Sequence, residues 1–578
     1  MRIERHQVEE EALTAAREGF VDRIGSMVNT MSKAGRMGTS DWELISAEFL
    51  DCLGALSVEH PDLDTAEARA LLADAAEAAT GMVSYAAYFP RDSFSVFLNY
   101  VNFGMSYDRE ADGERETVGL FDWHDAFCLA VLTDTTARHG EAFSFALEPA
   151  RQGKAGQPGA ELAAGLMAYV LGITEDDEAP WPLPPEDTLA ALDAALARVE
   201  RPDHPDTLAL RGLRALAAGD REEFDAALTE LLRHAAWVGG SFPRALLPLT
   251  PLALAALAHR DQGWEPPVES GYLPRALVTG FESKGVRVGA FGRDRRPDAV
   301  AELAAGPVTF ERPGDLNMYF SMESVELFEE FVADALKPLR SGLGDVDYLA
   351  GAVKKLRTLV EYRAREDAEG SEGQLDTVRR MSRFGAALFR TMLAEPGTEV
   401  EVELDGTTLS FPAHDGREAG PELWHAALNA ALITGAREDL APLVLSGPAR
   451  LRTDRSGRAL VSYRRALLDY LRAEDAGPAA ERAVGAAEKA QGQGFLPPPA
   501  VLLSQLVEGD EESFNLALLD ALEAHRDHFA VADRGLDPEA VVNLDILALT
   551  CHARRRGWAL QVVTPYLPPR VLCEAQPL

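Results

Sequence analysis

Two stretches of this chain, Pro205 to Pro274 and Pro497 to Pro568, share one plan, and this duplication narrows the possible folds more than anything else in the sequence. Leu216-Ala217-Ala218-Gly219-Asp220-Arg221-Glu222-Glu223-Phe224 is answered by Leu506-Val507-Glu508-Gly509-Asp510-Glu511-Glu512-Ser513-Phe514. Ala227, Leu228 and Leu232 recur as Ala517, Leu518 and Leu522, and each copy then reaches Gly-Trp (Gly263-Trp264, Gly557-Trp558) and Tyr-Leu-Pro (Tyr272-Leu273-Pro274, Tyr566-Leu567-Pro568). A period of about 290 residues within one chain predicts two copies of one module.

Each copy reads as a helix hairpin. An apolar helix ends at Gly219 or Gly509, where a left-handed C-terminal cap suits a residue without Cβ. Asp220 or Asp510 then caps the next helix, with Glu223 at the capping-box position of the first copy. The apolar residues that follow recur at i, i+3, i+4, i+7 and i+8, so one stripe of the second helix packs on the first. Hairpins of this kind build bundles and solenoids. The predicted fold class is therefore mainly α: two tandem duplicated helical modules made of helix hairpins, as a bundle or short solenoid, each with a small β-hairpin.

Those β-hairpins are the places where the period changes. Ser93 to Tyr107 is rich in aromatic and β-branched residues and partly alternates, predicting two short strands that turn near Asn99. In the second half Glu399 to Phe411 alternates strictly around Asp405-Gly406, a strong hairpin signal. The duplication continues into Trp123-His124-Asp125-Ala126-Phe127 and Trp424-His425-Ala426-Ala427-Leu428. A Trp-His pair that opens an apolar helix fits a packed Trp with a capping or satisfied His better than a proton carrier. Asp122 and Asp125 have no equivalents beside His425, which also argues against a shared catalytic role.

The length prior alone would give about four domains, and the repeat reduces this to two. Residues 1–278 are expected to form the first helical module, 279–315 a Gly/Arg-containing linker, and 316–578 the second module, a diverged repeat of the first. The linker holds Gly285, Gly289 and Gly292 beside Arg293, Arg295 and Arg296. No Gly-Lys-Ser/Thr follows to make a phosphate loop, so these arginines are expected to pair with acidic surfaces of the modules. In Glu523-Ala524-His525-Arg526-Asp527-His528, two imidazoles stand at i, i+3 with no third ligand in sight. They are expected to be surface histidines at a helix end, and neither a metal nor a cofactor is called for.

The chain has 56 Lys and Arg against 93 Asp and Glu, a formal charge of −37, which disfavours nucleic acid and anionic membrane as partners and either favours a basic one or serves solubility alone. The four cysteines, Cys52, Cys128, Cys551 and Cys573, form no paired motif and read as thiols in a reducing compartment. No apolar signal segment or membrane-length run is evident, so a cytoplasmic protein is expected. HExxH, Gly-x-Ser-x-Gly and Walker motifs are missing, and the sequence does not argue for an enzyme.

Several stretches resemble the immunity protein 49 family of actinobacteria: Ile3-Glu4-Arg5-His6-Gln7-Val8, Phe20 with Arg23-Ile24-Gly25, Phe97 to Tyr107, and Leu503 to Asn515. The resemblance implies a mainly α-helical protein of a bacterial polymorphic toxin system that neutralises a cognate toxin by direct contact, and it supplies no catalytic residues. A toxin that is a nuclease would present a basic groove, and acidic loops would then take the place of phosphates. The candidate contacts are Asp108, Glu110 and Asp112 after the first β-hairpin, and Glu175, Asp176, Asp177 and Glu178 in the acidic break. Two other readings stay open: a helical-repeat scaffold or regulator that binds a basic cellular partner, and an all-α hydrolase.

Overall fold

The computed structural model describes residues 2–110, 114–174, 182–281, 286–312, 324–340, 345–416, 419–492 and 496–575. The chain divides into two compact units, Met1–Ser283 and Lys284–Leu578. Both are mainly helical, and their elements follow one order. In the first unit the long helices Thr39–Glu59 and Ala66–Tyr88 pack as a pair, and Val346–Glu366 and Glu372–Leu393 do so in the second. Alanines at 75, 76, 78 and 79 are buried along Ala66–Tyr88 and let its neighbours approach closely.

The expected β-hairpins form next. Phe94–Leu98 pairs antiparallel with Phe103–Tyr107, in register Phe94↔Tyr107 through Leu98↔Phe103. Glu399–Leu404 pairs likewise with Thr407–Pro412 around Asp405 and Gly406, whose φ values of 50° and 75° suit a two-residue primed turn. Val96, Leu98 and Tyr107 turn inward in the first, and Val402, Leu404, Leu409 and Phe411 in the second, so each hairpin packs one apolar face against a long helix.

The duplicated motif has a physical reason at each repeated position. Gly219 and Gly509 take left-handed φ values of 70° and 85°, and Asp220 and Asp510 then accept the backbone N–H of Glu223 and Ser513, each at 3.1 Å. Phe224 packs against Trp264 at 5.6 Å between ring centroids, and Phe514 against Trp558 at 5.4 Å. The Gly-Asp and Gly-Trp signatures therefore recur together because each pair meets in space.

Two further ladders lie below the length at which sequence periodicity registers. Arg2–Ile3 runs parallel to Glu269–Ser270, and Val308–Thr309 runs parallel to Val562–Val563. Each joins an early segment of its unit to a late one. The arginine-rich segment divides at the boundary between units, with 286–312 packed inside the second. Arg287, 3% exposed, pairs with Asp520 at 2.8 Å and with Glu523 at 2.7 Å. Arg293 reaches Glu481 and Arg295 reaches Glu512, both at 2.7 Å, while Arg296 pairs with Asp298. Among the described residues, no helix is long and apolar enough to cross a membrane.

Candidate functional site

The Trp-His pairs open the helices Leu120–Leu132 and Pro421–Thr434. Both tryptophans are 0% exposed, and each indole N–H donates to a backbone carbonyl of the following helix, Trp123 to Phe143 at 3.1 Å and Trp424 to Leu443 at 2.8 Å. The far ends of these helices are also held alike. Arg260 donates to the carbonyl of Val131, and Arg555 to those of Leu432 and Ile433. These contacts are structural anchors that set where the adjacent histidines sit.

The two histidines then differ in their company. His124 lies with Asp206 around Gly159, where a Cβ would stand 3.4 Å from the imidazole and 3.2 Å from the carboxylate. Burial pushes His124 below the ordinary imidazole range, and Asp206 opposes that shift. In the second unit His425 Nε2 is 2.7 Å from Asp545 Oδ1, while Asn429 donates to the same oxygen at 2.8 Å. Arg464 donates to His425 Nδ1 at 3.4 Å and is itself held by Asp454 and Ser456, at 2.8 and 2.9 Å. That donation leaves the imidazole proton on Nε2, facing Asp545. Burial works to raise Asp545, but His425 and Asn429 outweigh it and keep this carboxyl below its usual range.

Around this cluster lies a pocket of 270 Å³, whose polar lining includes Arg357, Glu361, Glu422, His425, Asn429 and Asp545. It shares Arg357, Glu422 and Ala426 with a neighbouring hollow of 450 Å³. Glu361 is nearly buried, and burial pushes its carboxyl up to about 7 despite the opposing charge of Arg357. The Arg357 guanidinium is already engaged by Glu361 at 3.3 Å and by Glu539.

His525 also lines this pocket, which corrects the expectation of a surface histidine: it is 1% exposed and stacked edge-on against Phe529 and Tyr566. Burial lowers its imidazole to about 4, and His528 is lowered to about 4 for the same reason. The signal was present in the sequence, because Leu518, Leu522, His525 and Phe529 continue one helical stripe. Among the described residues there is no group of three side chains that could hold a metal ion. Burial pushes the thiols of Cys52 and Cys551 up to about 11 and about 12, and raises Cys128 further, which keeps all three protonated and unreactive.

The matching place in the first unit carries different side chains. Arg244 lies over the ring of Phe242, 58% exposed, pairs with Asp51 and opposes the raised carboxyls of Glu43 and Asp125, which burial and then Asp122 push up, while Phe121, 75% exposed, precedes Asp122 in the chain. Burial, followed by the charge of Asp122, raises Asp125 to about 7.

Of the acidic contacts expected from the sequence, Asp108 and Glu110 are exposed, and Glu110 is paired with Arg36 at 2.5 Å. Asp112, Glu175, Asp176, Asp177 and Glu178 lie outside the described residues. The clusters around His425 and Asp125 escaped the sequence reading because their members come from distant segments. His425 and Asp545 are on different helices, and nothing local links them.

The model of the family described as immunity protein 49 matches this chain twice, over residues 60–277 and 352–571. The chain belongs to the immunity protein 49 family. The two matched stretches fall one in each compact unit, so the family's module occurs here in tandem. Comparison with curated proteins and with solved structures gives no match.

Proposed function

We propose that this chain is the immunity protein of a bacterial polymorphic toxin system, which binds a cognate toxin in the cytoplasm and neutralises it by direct contact, without catalysis. The observation that carries this reading is the double match to the immunity protein 49 family. The chemistry of the chain supports it. Buried thiols pushed out of their reactive range and imidazoles lowered by burial suit packing better than turnover. The formal charge of −37 favours a basic partner surface, such as the groove of a nuclease, and would speed encounter with it. Asp108, Glu110, Asp112 and Glu175 to Glu178 are proposed as contacts for that surface.

Co-expression with the toxin encoded beside its gene tests the proposal. The chain should rescue growth and co-purify with the toxin, and calorimetry should show affinity that falls by about tenfold or more between low and physiological salt. Failure to rescue growth from any neighbouring gene product, together with capture of a housekeeping protein, would overturn the reading in favour of a scaffold.

A further inference from the structure

The polar pocket of the second unit has a lining that calls for a ligand of one kind. Its cationic groups are already committed: Arg464 to Asp454 and Ser456, Arg357 to Glu361 and Glu539. One of its acceptors is not. Asn429 is 5% exposed and spends its amide N–H on Asp545, which leaves its Oδ1 buried without a hydrogen-bond partner. An unpaired buried acceptor is costly, and a donor group from outside would remove that cost. Besides Glu361, whose carboxyl burial raises to about 7, the carboxylates of Glu422, Glu539 and Asp545 line the pocket against two guanidiniums, so an entering anion would meet net negative charge. The adjoining 450 Å³ hollow adds Val353 and Leu423, apolar groups suited to an alkyl stem that carries a charged head, and it also holds Lys354, so the charged head is placed on the Glu361 side of the pocket.

We propose that this pocket is a binding site for a guanidinium or alkylammonium group, with Glu361, Glu422 and the Asn429 carbonyl as its acceptors. The site follows from the lining alone and does not depend on the immunity reading. Its ligand is either an arginine or lysine side chain presented by a protein or a free small cation. Binding brings positive charge to Glu361, whose carboxyl is raised to about 7 by burial, against Arg357 and with the help of Glu539 and Asp537, so the carboxyl ionises as the cation enters.

The test is a titration of the full chain, followed through the imidazole resonances of His425 and His525, which face the pocket. The probes are N-acetyl-arginine methylamide, standing for a protein side chain, and agmatine, standing for a free cation; the citrulline analogue of the first is the uncharged control. Expected are saturable shifts of both resonances, with the cation bound about tenfold or more tightly than the citrulline analogue. Glu361→Gln should weaken binding about fivefold or more, and Glu422→Gln, on the exposed side, should weaken it in the same direction without risk to the core. Tighter binding of the capped arginine assigns the site to a protein partner, and tighter binding of agmatine to a free cation. No saturable shift up to about 20 mM, an equal response to the citrulline analogue, or affinity unchanged in both variants would overturn the proposal and leave a pocket that holds only water.

Discussion

At one junction the two units solve the same packing problem in opposite ways. In the first, the 3-10 turn Pro243–Leu246 lies on helix Thr39–Glu59 at Gly54, so close that a Cβ there would stand 2.2 Å from the Pro243 carbonyl oxygen. In the second, the 3-10 turn Pro538–Val541 lies on helix Val346–Glu366 at the level of Glu361, whose side chain stands in the gap and leaves a pocket beside it. The ion pair across the junction also reverses. Arg244 on the turn holds Asp51 on the helix at 2.5 Å in the first unit, whereas Glu539 on the turn holds Arg357 on the helix in the second. A similar exchange occurs beneath the Trp-His helices, where Cys128 with Thr250 in the first unit stands against Asn429 with Asp545 in the second. What the duplication keeps is the backbone frame and its large anchors, while complementary polar pairs are free to exchange partners or sign.

The strongest way to break this comparison is to force one solution on the other unit. Gly54→Glu, the residue type at the second unit's junction, should cost the first unit about 4 kcal/mol, because the side chain meets backbone rather than a movable side chain. Urea unfolding followed by circular dichroism measures this, and a loss under about 1 kcal/mol would mean that the junction of the first unit opens as readily as that of the second.

Next in size is Arg287→Met, which leaves Asp520 and Glu523 facing each other without their shared cation. A loss of about 3 kcal/mol is expected, confined to the transition of the second unit. Hydrogen exchange resolved by peptide should show faster exchange at 511–529 and unchanged rates in the first unit.

The pH dependence sharpens the comparison further. Asp125 has a folded pKa raised to about 7 against about 3.9 in an unfolded chain, so the folded state binds the extra proton. Its contribution is therefore intact below about pH 4, declines as the pH rises, and is lost above about pH 7, by about 2 kcal/mol once partial exposure is allowed for. Glu361 gives the second unit the same sign. Asp125→Asn should flatten the slope for the first unit alone and Glu361→Gln that for the second; a slope unchanged in both variants would exclude these carboxyls as its source.

The smallest effect is the sign reversal. Arg244→Glu should cost about 1–2 kcal/mol, and adding Asp51→Arg should restore most of it, since the second unit carries the pair in that polarity. A double variant no better than the single would show that position, not complementarity, decides the polarity.

Much of the frame was legible in the sequence because it is written in local patterns. The Gly-Asp caps and the two β-hairpins depend on nearby residues, and the tryptophans that open the paired helices show as the same letters at the same place in each copy. The pocket was not legible in the same way. Periodicity shows that a face is buried but not what stands opposite, so the meeting of His425 with Asp545, or of Arg287 with Asp520, leaves no trace in either segment. His525 sits among charged neighbours that mask the apolar stripe on which it lies, and the parallel ladders of two residues are shorter than any alternation can reveal.

Those ladders have a consequence for how such a chain arises. Because Arg2–Ile3 lies beside Glu269–Ser270 and Val308–Thr309 beside Val562–Val563, each copy brings its own entry and exit together. A segment with that property behaves as a cassette: copying it end to end within a gene adds a second self-closed body without asking the first to refold around it.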